Sequence, residues 1–206
     1  NRSIYALGKI KRHCMKLDKS LEPFRATIEA LHRLLEKYND RGVIIGGVAV
    51  GLLGKPRYTA DVDAMFLLST QDIPQFLELA RAENIIPRIQ NVEEFARKSR
   101  VLLLKYIPTK TEIDISLGVL LFEEEMVERS SVKSFAKLSA RLPTPEDLII
   151  MKAIAHRPKD LEDIRTIVDN NPKLDLKRIE HWVKDFAEVL EMPDLWKQIE
   201  EILNSR

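Results

Sequence analysis

Leu21, Phe24, Ile28, Leu31, Leu35 and Tyr38 recur at alternating steps of three and four, the spacing of one face of an amphipathic helix. Asn39-Asp40-Arg41-Gly42 ends that pattern, and Gly42 suits a left-handed cap. Residues 43–45 are a short β-branched run, predicted as a buried strand. Gly46-Gly47 breaks it, residues 48–53 are predicted as a short helix and 54–56 as a loop. A second strand is predicted over 62–68 and a helix over 71–83, with a proline near its first turn. Then come a helix over 92–99 and two strands, 101–107 and 111–116, joined by Pro108-Thr109-Lys110. A helix over 119–129 and a last strand over 134–138 complete this half.

The pattern changes after Arg141. Thr144-Pro145-Glu146-Asp147 combines a hydroxyl cap, a first-turn proline and an acid three residues on, which starts a helix. Helical spacing continues over 145–156, 160–169, 175–190 and 193–203. The expected fold class is α+β: a small mixed β-sheet core flanked by helices over residues 21–140, then a C-terminal helical lobe over 141–206.

Composition narrows this only slightly. The 206 residues are 45% hydrophobic and 32% charged, which describes a folded globular chain. Net charge is +1, so no overall field points to nucleic acid. Residues 1–20 nevertheless hold six Lys/Arg against Asp18 alone; this basic arm is either a solvated terminus or a dock for a polyanion. Cys14 is the single cysteine, reads as structurally idle and fits a cytoplasmic chain. There is no long apolar run and no leader pattern, so neither a membrane partner nor secretion is expected.

The chemistry concentrates in GGVAVGLLGKPRYTADVDAMFL, residues 46–67. Asp61 and Asp63 are two apart on a strand, so both side chains leave the same face. Like charges so placed repel, and a divalent cation turns that repulsion into ligation. Oxygen ligands without His or Cys suit Mg²⁺, with Mn²⁺ as a substitute, and Mg²⁺ pairs readily with phosphate oxygens. Gly46 and Gly47 precede a helix, where bare backbone N–H groups and the helix dipole favour an anion. Asp114 alternates with Ile113 and Ile115; it either lies on a solvated face or completes a set of three carboxylates. In the second case two acids hold both metals, while the third binds one and accepts a proton from an attacking hydroxyl.

An apolar residue, Gly46-Gly47, a helix, Asp61-x-Asp63 and a later strand Asp114 together resemble the nucleotidyltransferases of the polymerase beta superfamily. The resemblance spans residues 43–116. It implies transfer of a nucleoside monophosphate from an NTP to an acceptor hydroxyl, with pyrophosphate release (EC 2.7.7 type), catalysed by Asp61, Asp63 and Asp114. Gly47 departs from the serine found in many members, so backbone contacts must replace a hydroxyl. Arg57-x-Thr59-x-Asp61 and the stretch from Leu148 to Ile164 resemble AbiEii-type nucleotidyltransferases. Some of those are toxins of toxin–antitoxin or defence systems, which would make an antitoxin a partner and a tRNA end, a protein or a small alcohol the acceptor. A non-catalytic nucleotide-binding or protein-interaction module on the same fold is the alternative.

Supporting residues have structural readings beside functional ones. Lys152, in a nearly all-apolar helix, either snorkels to the surface or reaches the triphosphate. Arg57 is a surface residue or a bidentate phosphate clamp, and Thr59 bonds the loop backbone or a phosphate. Asp160 reads as a helix N-cap. Asp163, one turn on, reads as a partner of Lys152 or Arg157, or as a substrate contact. Glu112 is an alternative ligand, His156 a capping or surface residue, and His32 and His181 exposed. Trp182 and Trp196 read as packing residues.

Overall fold

The computed structural model describes residues 18–135 and 138–205, so Cys14 and nearly all of the basic arm lie outside the described residues. The chain enters through a 3-10 turn, Lys19–Phe24, whose Asp18 carboxylate accepts the Ser20 N–H at 2.8 Å. Helix α1, Arg25–Lys37, follows. The expected amphipathic face is present, with Leu21, Ile28, Leu31 and Leu35 buried. The 3-10 turn that leads into α1 contains Pro23, which sits ahead of the α-helical ladder where its missing N–H costs little. The expected cap at Gly42 is incorrect: Asn39 and Asp40 take the left-handed conformation, with φ of 55° and 56°. Gly42 instead opens strand β1, Gly42–Ile45, where a Cβ would meet the Met65 carbonyl oxygen at 2.5 Å.

Helix α2, Gly46–Leu53, begins at the diglycine itself, and strand β2, Asp61–Phe66, returns antiparallel to β1. Helix α3, Ile73–Ala82, carries Pro74 in its first turn. A strand that the sequence did not predict, β3, Ile85–Pro87, has only three residues, too few to show alternation. Helix α4, Val92–Ser99, and strands β4, Val101–Tyr106, and β5, Thr111–Leu117, match expectation. The five strands form a mixed sheet in the order β1-β2-β5-β4-β3, with β2 parallel to β5 and the other neighbours antiparallel. Val62, Ala64, Ile113 and Ile115 are buried in the core, and the intervening aspartates face the other way.

Helix α5, Leu121–Arg129, leads to a separate hairpin of β6, Ser131–Phe135, and β7, Leu138–Leu142. The single strand expected over 134–138 is replaced by two: β6 ends and β7 begins within that stretch, and residues 136–137 lie outside the described ones. Most of β6 is exposed, so it carried little apolar signal. Helices α6, Pro145–Ala155, α7, Pro158–Asn170, α8, Leu176–Val189, and α9, Leu195–Asn204, complete the fold. Thr144 caps α6, its hydroxyl accepting the Asp147 N–H at 3.2 Å. Trp182 packs edge-on to Phe122 at 5.3 Å, and Trp196 rests against the core, as the packing reading expects. One apolar core runs from Leu21 to Leu203, joining sheet and C-terminal helices. None of the described helices is long and apolar enough to cross a membrane.

Candidate active site

The parallel register of β2 and β5 sets Asp63 opposite Asp114 and Asp61 opposite Glu112. Because residues two apart share a face, Asp61, Asp63 and Asp114 converge: one carboxylate oxygen from each lies within 4.8 Å of the others. Each is half-buried, lining a cleft of about 320 Å³ between strands β2 and β5, α2 and the α6–α7 corner. Burial, then the charges of Asp61 and Asp114, pushes the Asp63 carboxyl above its ordinary range. Burial likewise raises Asp114, and Arg88 opposes this only in part.

The acids fit a hard divalent cation. Arg88 Nη2 lies 2.9 Å from Asp114 Oδ1, yet its direction leaves that buried oxygen without a hydrogen bond. One arginine facing a repelling group of three carboxylates leaves negative charge there, which suits a cation with oxygen ligands. Glu112 stays outside the group, exposed and paired with Arg88 at 2.6 Å. Arg88 was not foreseen; it follows the short β3, and recognising that strand would have been the way to find it.

Gly46 has a φ of +64°, and a Cβ there would fall on the Asp63 carboxylate. The Gly47 N–H hydrogen-bonds to Asp63. A Cβ on Gly47 would lie 2.7 Å from Thr59 Oγ1 and 2.9 Å from Thr59 Cβ, which explains why no serine stands there. Thr59 was expected on the loop backbone or a phosphate. Its hydroxyl lies 3.3 Å from the Asp61 carbonyl oxygen and donates at 2.9 Å to Asp61 Oδ1.

The opposite wall is cationic. Lys152 does not snorkel: it is buried, its Nζ 2.9 Å from Asp160 Oδ1 and 2.8 Å from Asp163 Oδ2. Arg57 forks onto Asp163 at 2.6 and 3.0 Å, and Arg157 onto Asp160 at 2.5 and 3.2 Å. Asp163 thus pairs with Lys152, as expected, but with Arg57 rather than Arg157, and it sits behind the cleft wall rather than on it. Asp160 is not the N-cap of α7. Arg157 holds that place, and Asp160, three residues on, accepts the Arg157 N–H at 3.2 Å. Three cations against two buried acids leave the wall net positive, and Lys159 adds to it.

Burial pushes the Asp160 carboxyl up, but hydrogen bonds from Arg157 and Lys152 outweigh it and bring it down to about 2, from 3.8. A lowered folded value means that this stability is fully present above the unfolded value and is lost as pH falls towards the folded one. Roughly 2 kcal/mol is expected to disappear between about pH 4 and pH 2. Urea midpoints across that window check it, with Asp160→Asn expected to flatten the slope.

His156 takes φ of 50° at the C-cap of α6, 3.0 Å from the Gln198 amide oxygen, and His181 is exposed. His32, expected exposed, is half-buried, 3.8 Å from Glu36.

A mixed sheet presenting three acids beside a diglycine helix start is the fold of nucleotidyltransferases, and solved structures agree. One is an antigenic nucleotidyltransferase-like protein from Paracoccidioides brasiliensis, at TM-score 0.54 and 16% identity, over 86% of this chain and 92% of that one. Another is the antibiotic-resistance factor ANT(2'')-Ia, at TM-score 0.51 and 14% identity, over 80% and 93%. No curated protein sequence matches the chain. Residues 22–197 match the family described as nucleotidyltransferase of unknown function, DUF6036, and the chain belongs to that family.

Proposed function

We propose that the chain is a divalent-metal-dependent enzyme that moves a nucleoside monophosphate from an NTP to an acceptor hydroxyl, releasing pyrophosphate. The observation that carries this is the meeting of Asp61, Asp63 and Asp114 within 4.8 Å beside the Gly46-Gly47 turn. These three acids would hold Mg²⁺ or Mn²⁺, which supplies charge neutralisation at the α-phosphate. Asp114 is the proton acceptor: the acceptor oxygen bonds to the α-phosphorus, its proton passes to Asp114, and the bond to pyrophosphate breaks. The triphosphate lies against Gly46, Gly47 and the cationic wall. Arg57 keeps N–H groups beyond those engaged by Asp163 and the Tyr58 carbonyl, and Lys152 keeps a third N–H beyond its two aspartates. Asp163 holds both cations in place, and Thr59 holds Asp61.

The acceptor belongs to the same proposal: a tRNA 3′ end, a protein hydroxyl or a small polyol. So do a cytoplasmic setting, kinship with AbiEii-type enzymes and pairing with an antitoxin, which rest on Arg57-x-Thr59-x-Asp61 and the α6–α7 sequence. The resistance-factor neighbour supports including aminoglycoside-like alcohols among the substrates tried. The test offers each α-labelled NTP with Mg²⁺ to total RNA, total protein and a polyol panel. Label transfer with matching pyrophosphate release supports the reading. NTP binding without transfer to any acceptor favours a nucleotide-binding module, and no NTP binding at all overturns both of these and leaves the protein-interaction module.

A further inference from the structure

We infer that Thr59 is the positioning residue for the Asp61 carboxylate, and that position 47 is glycine to leave room for it. This rests on the metal-site reading above. From Arg57 to Asp63 the alternate residues 57, 59, 61 and 63 all line the cleft, while Tyr58 between them is 87% exposed. The segment therefore presents a cation, a hydroxyl and two carboxylates in one row, and the first two residues of α2 pass beside that row without side chains. Gly46 clears Asp63, and Gly47 clears Thr59, with Arg57 Nη1 3.4 Å from the same point.

Asp61 needs such a hold. Among the described residues, Thr59 is the only side chain that hydrogen-bonds it, whereas Asp63 has the Gly47 N–H and Asp114 has Arg88 alongside. A carboxylate next to another carboxylate turns away unless something fixes it. The Thr59 hydroxyl, 2.9 Å from Oδ1, holds Asp61 in its place in the group of three. A donor behind a ligand typically changes metal affinity by about 10–100-fold. A serine at 47 would displace the hydroxyl at 59, so the two positions form one coupled unit rather than two independent substitutions. The missing hydroxyl at 47 and the present one at 59 are the same feature seen from the start of α2 and from the loop before β2.

The probe is Mn²⁺ alone, its binding to the full chain followed by the loss of the free-ion electron paramagnetic resonance signal, which needs neither acceptor nor turnover. Thr59→Val keeps the shape without the hydroxyl and is expected to weaken Mn²⁺ binding about tenfold or more. Thr59→Ser is expected to stay within about threefold of the wild type, a rescue that a packing role would not give. Gly47→Ala is expected to cost about tenfold in the wild-type background and little beside Thr59→Gly, which vacates the space. Circular dichroism confirms that each variant folds. Thr59→Val binding as tightly as wild type overturns the positioning role. An equal cost of Gly47→Ala in both backgrounds overturns the coupling. A wild-type chain that takes no Mn²⁺ overturns the metal reading and this inference with it.

Discussion

Asp63→Asn is expected to abolish nucleotidyl transfer and, in the same protein without metal, to raise the melting temperature. The loss follows from its place at the centre of the acids, between β1 and β5. A drop of at least about a thousandfold, equivalent to about 4 kcal/mol, is the scale expected for removing one charged group from a phosphoryl-transfer centre. The gain in stability follows from the raised pKa. Burial and the charges of Asp61 and Asp114 disfavour ionised Asp63 in the folded chain, and an amide removes that charge while keeping an oxygen for the Gly47 N–H. The sign with pH is fixed: a group whose folded value lies above its unfolded value makes the metal-free protein less stable as pH rises through that interval. The variant lacks this decline. Pyrophosphate release and calorimetric melting, measured with and without Mg²⁺, check both halves. Retained transfer would end the metal role, and a lower melting temperature would end the account of repulsion.

Asp160→Ala is expected to destabilise the fold by about 3–5 kcal/mol, the range for stripping one partner from a buried ion pair. Asp160 is fully buried and serves Lys152, the Arg157 side chain and the Arg157 N–H together. Its removal leaves Lys152 with Asp163 alone and the α7 terminus without its acceptor. Lys152→Ala is the milder change, since each aspartate keeps an arginine. That variant is expected to fold and to show a higher KM for NTP. Urea unfolding of the two variants side by side decides the order, and a cost under 1 kcal/mol for Asp160→Ala would remove the network from the stability account.

The sequence shows whatever local periodicity or turn chemistry determines. The spacing of Leu21 to Tyr38, the bounds of α4 and the alternation around Asp114 depend on neighbours a few residues away, and all could be read directly. The three acids were legible because two of them share a face by spacing alone, and the third needed only a strand beside theirs. What escaped depends on distant partners or on elements too short to show a pattern. The fork from Arg57 to Asp163 spans 106 residues, so no spacing rule pairs them. Gly42 was misread because its glycine requirement comes from the strand beside it rather than from the turn before it. The hairpin β6–β7 was compressed to one strand because its outer member is exposed. Lys152 admitted two readings, surface or substrate, while the structure adds a third: a cation enclosed by two acids at the back of the cleft.

Strands β2 and β5 lie side by side in parallel although the chain between them makes α3, β3, α4 and β4. That excursion builds the other half of the same sheet, β4 pairing with β5 and β3 with β4. Lengthening or shortening its loops leaves the acids where they are, whereas slipping β5 by one residue against β2 would turn Asp114 to the opposite face. The convergence of the acids is thus tolerant of changes in the connecting loops and exposed to error in the pairing of β5 with β2.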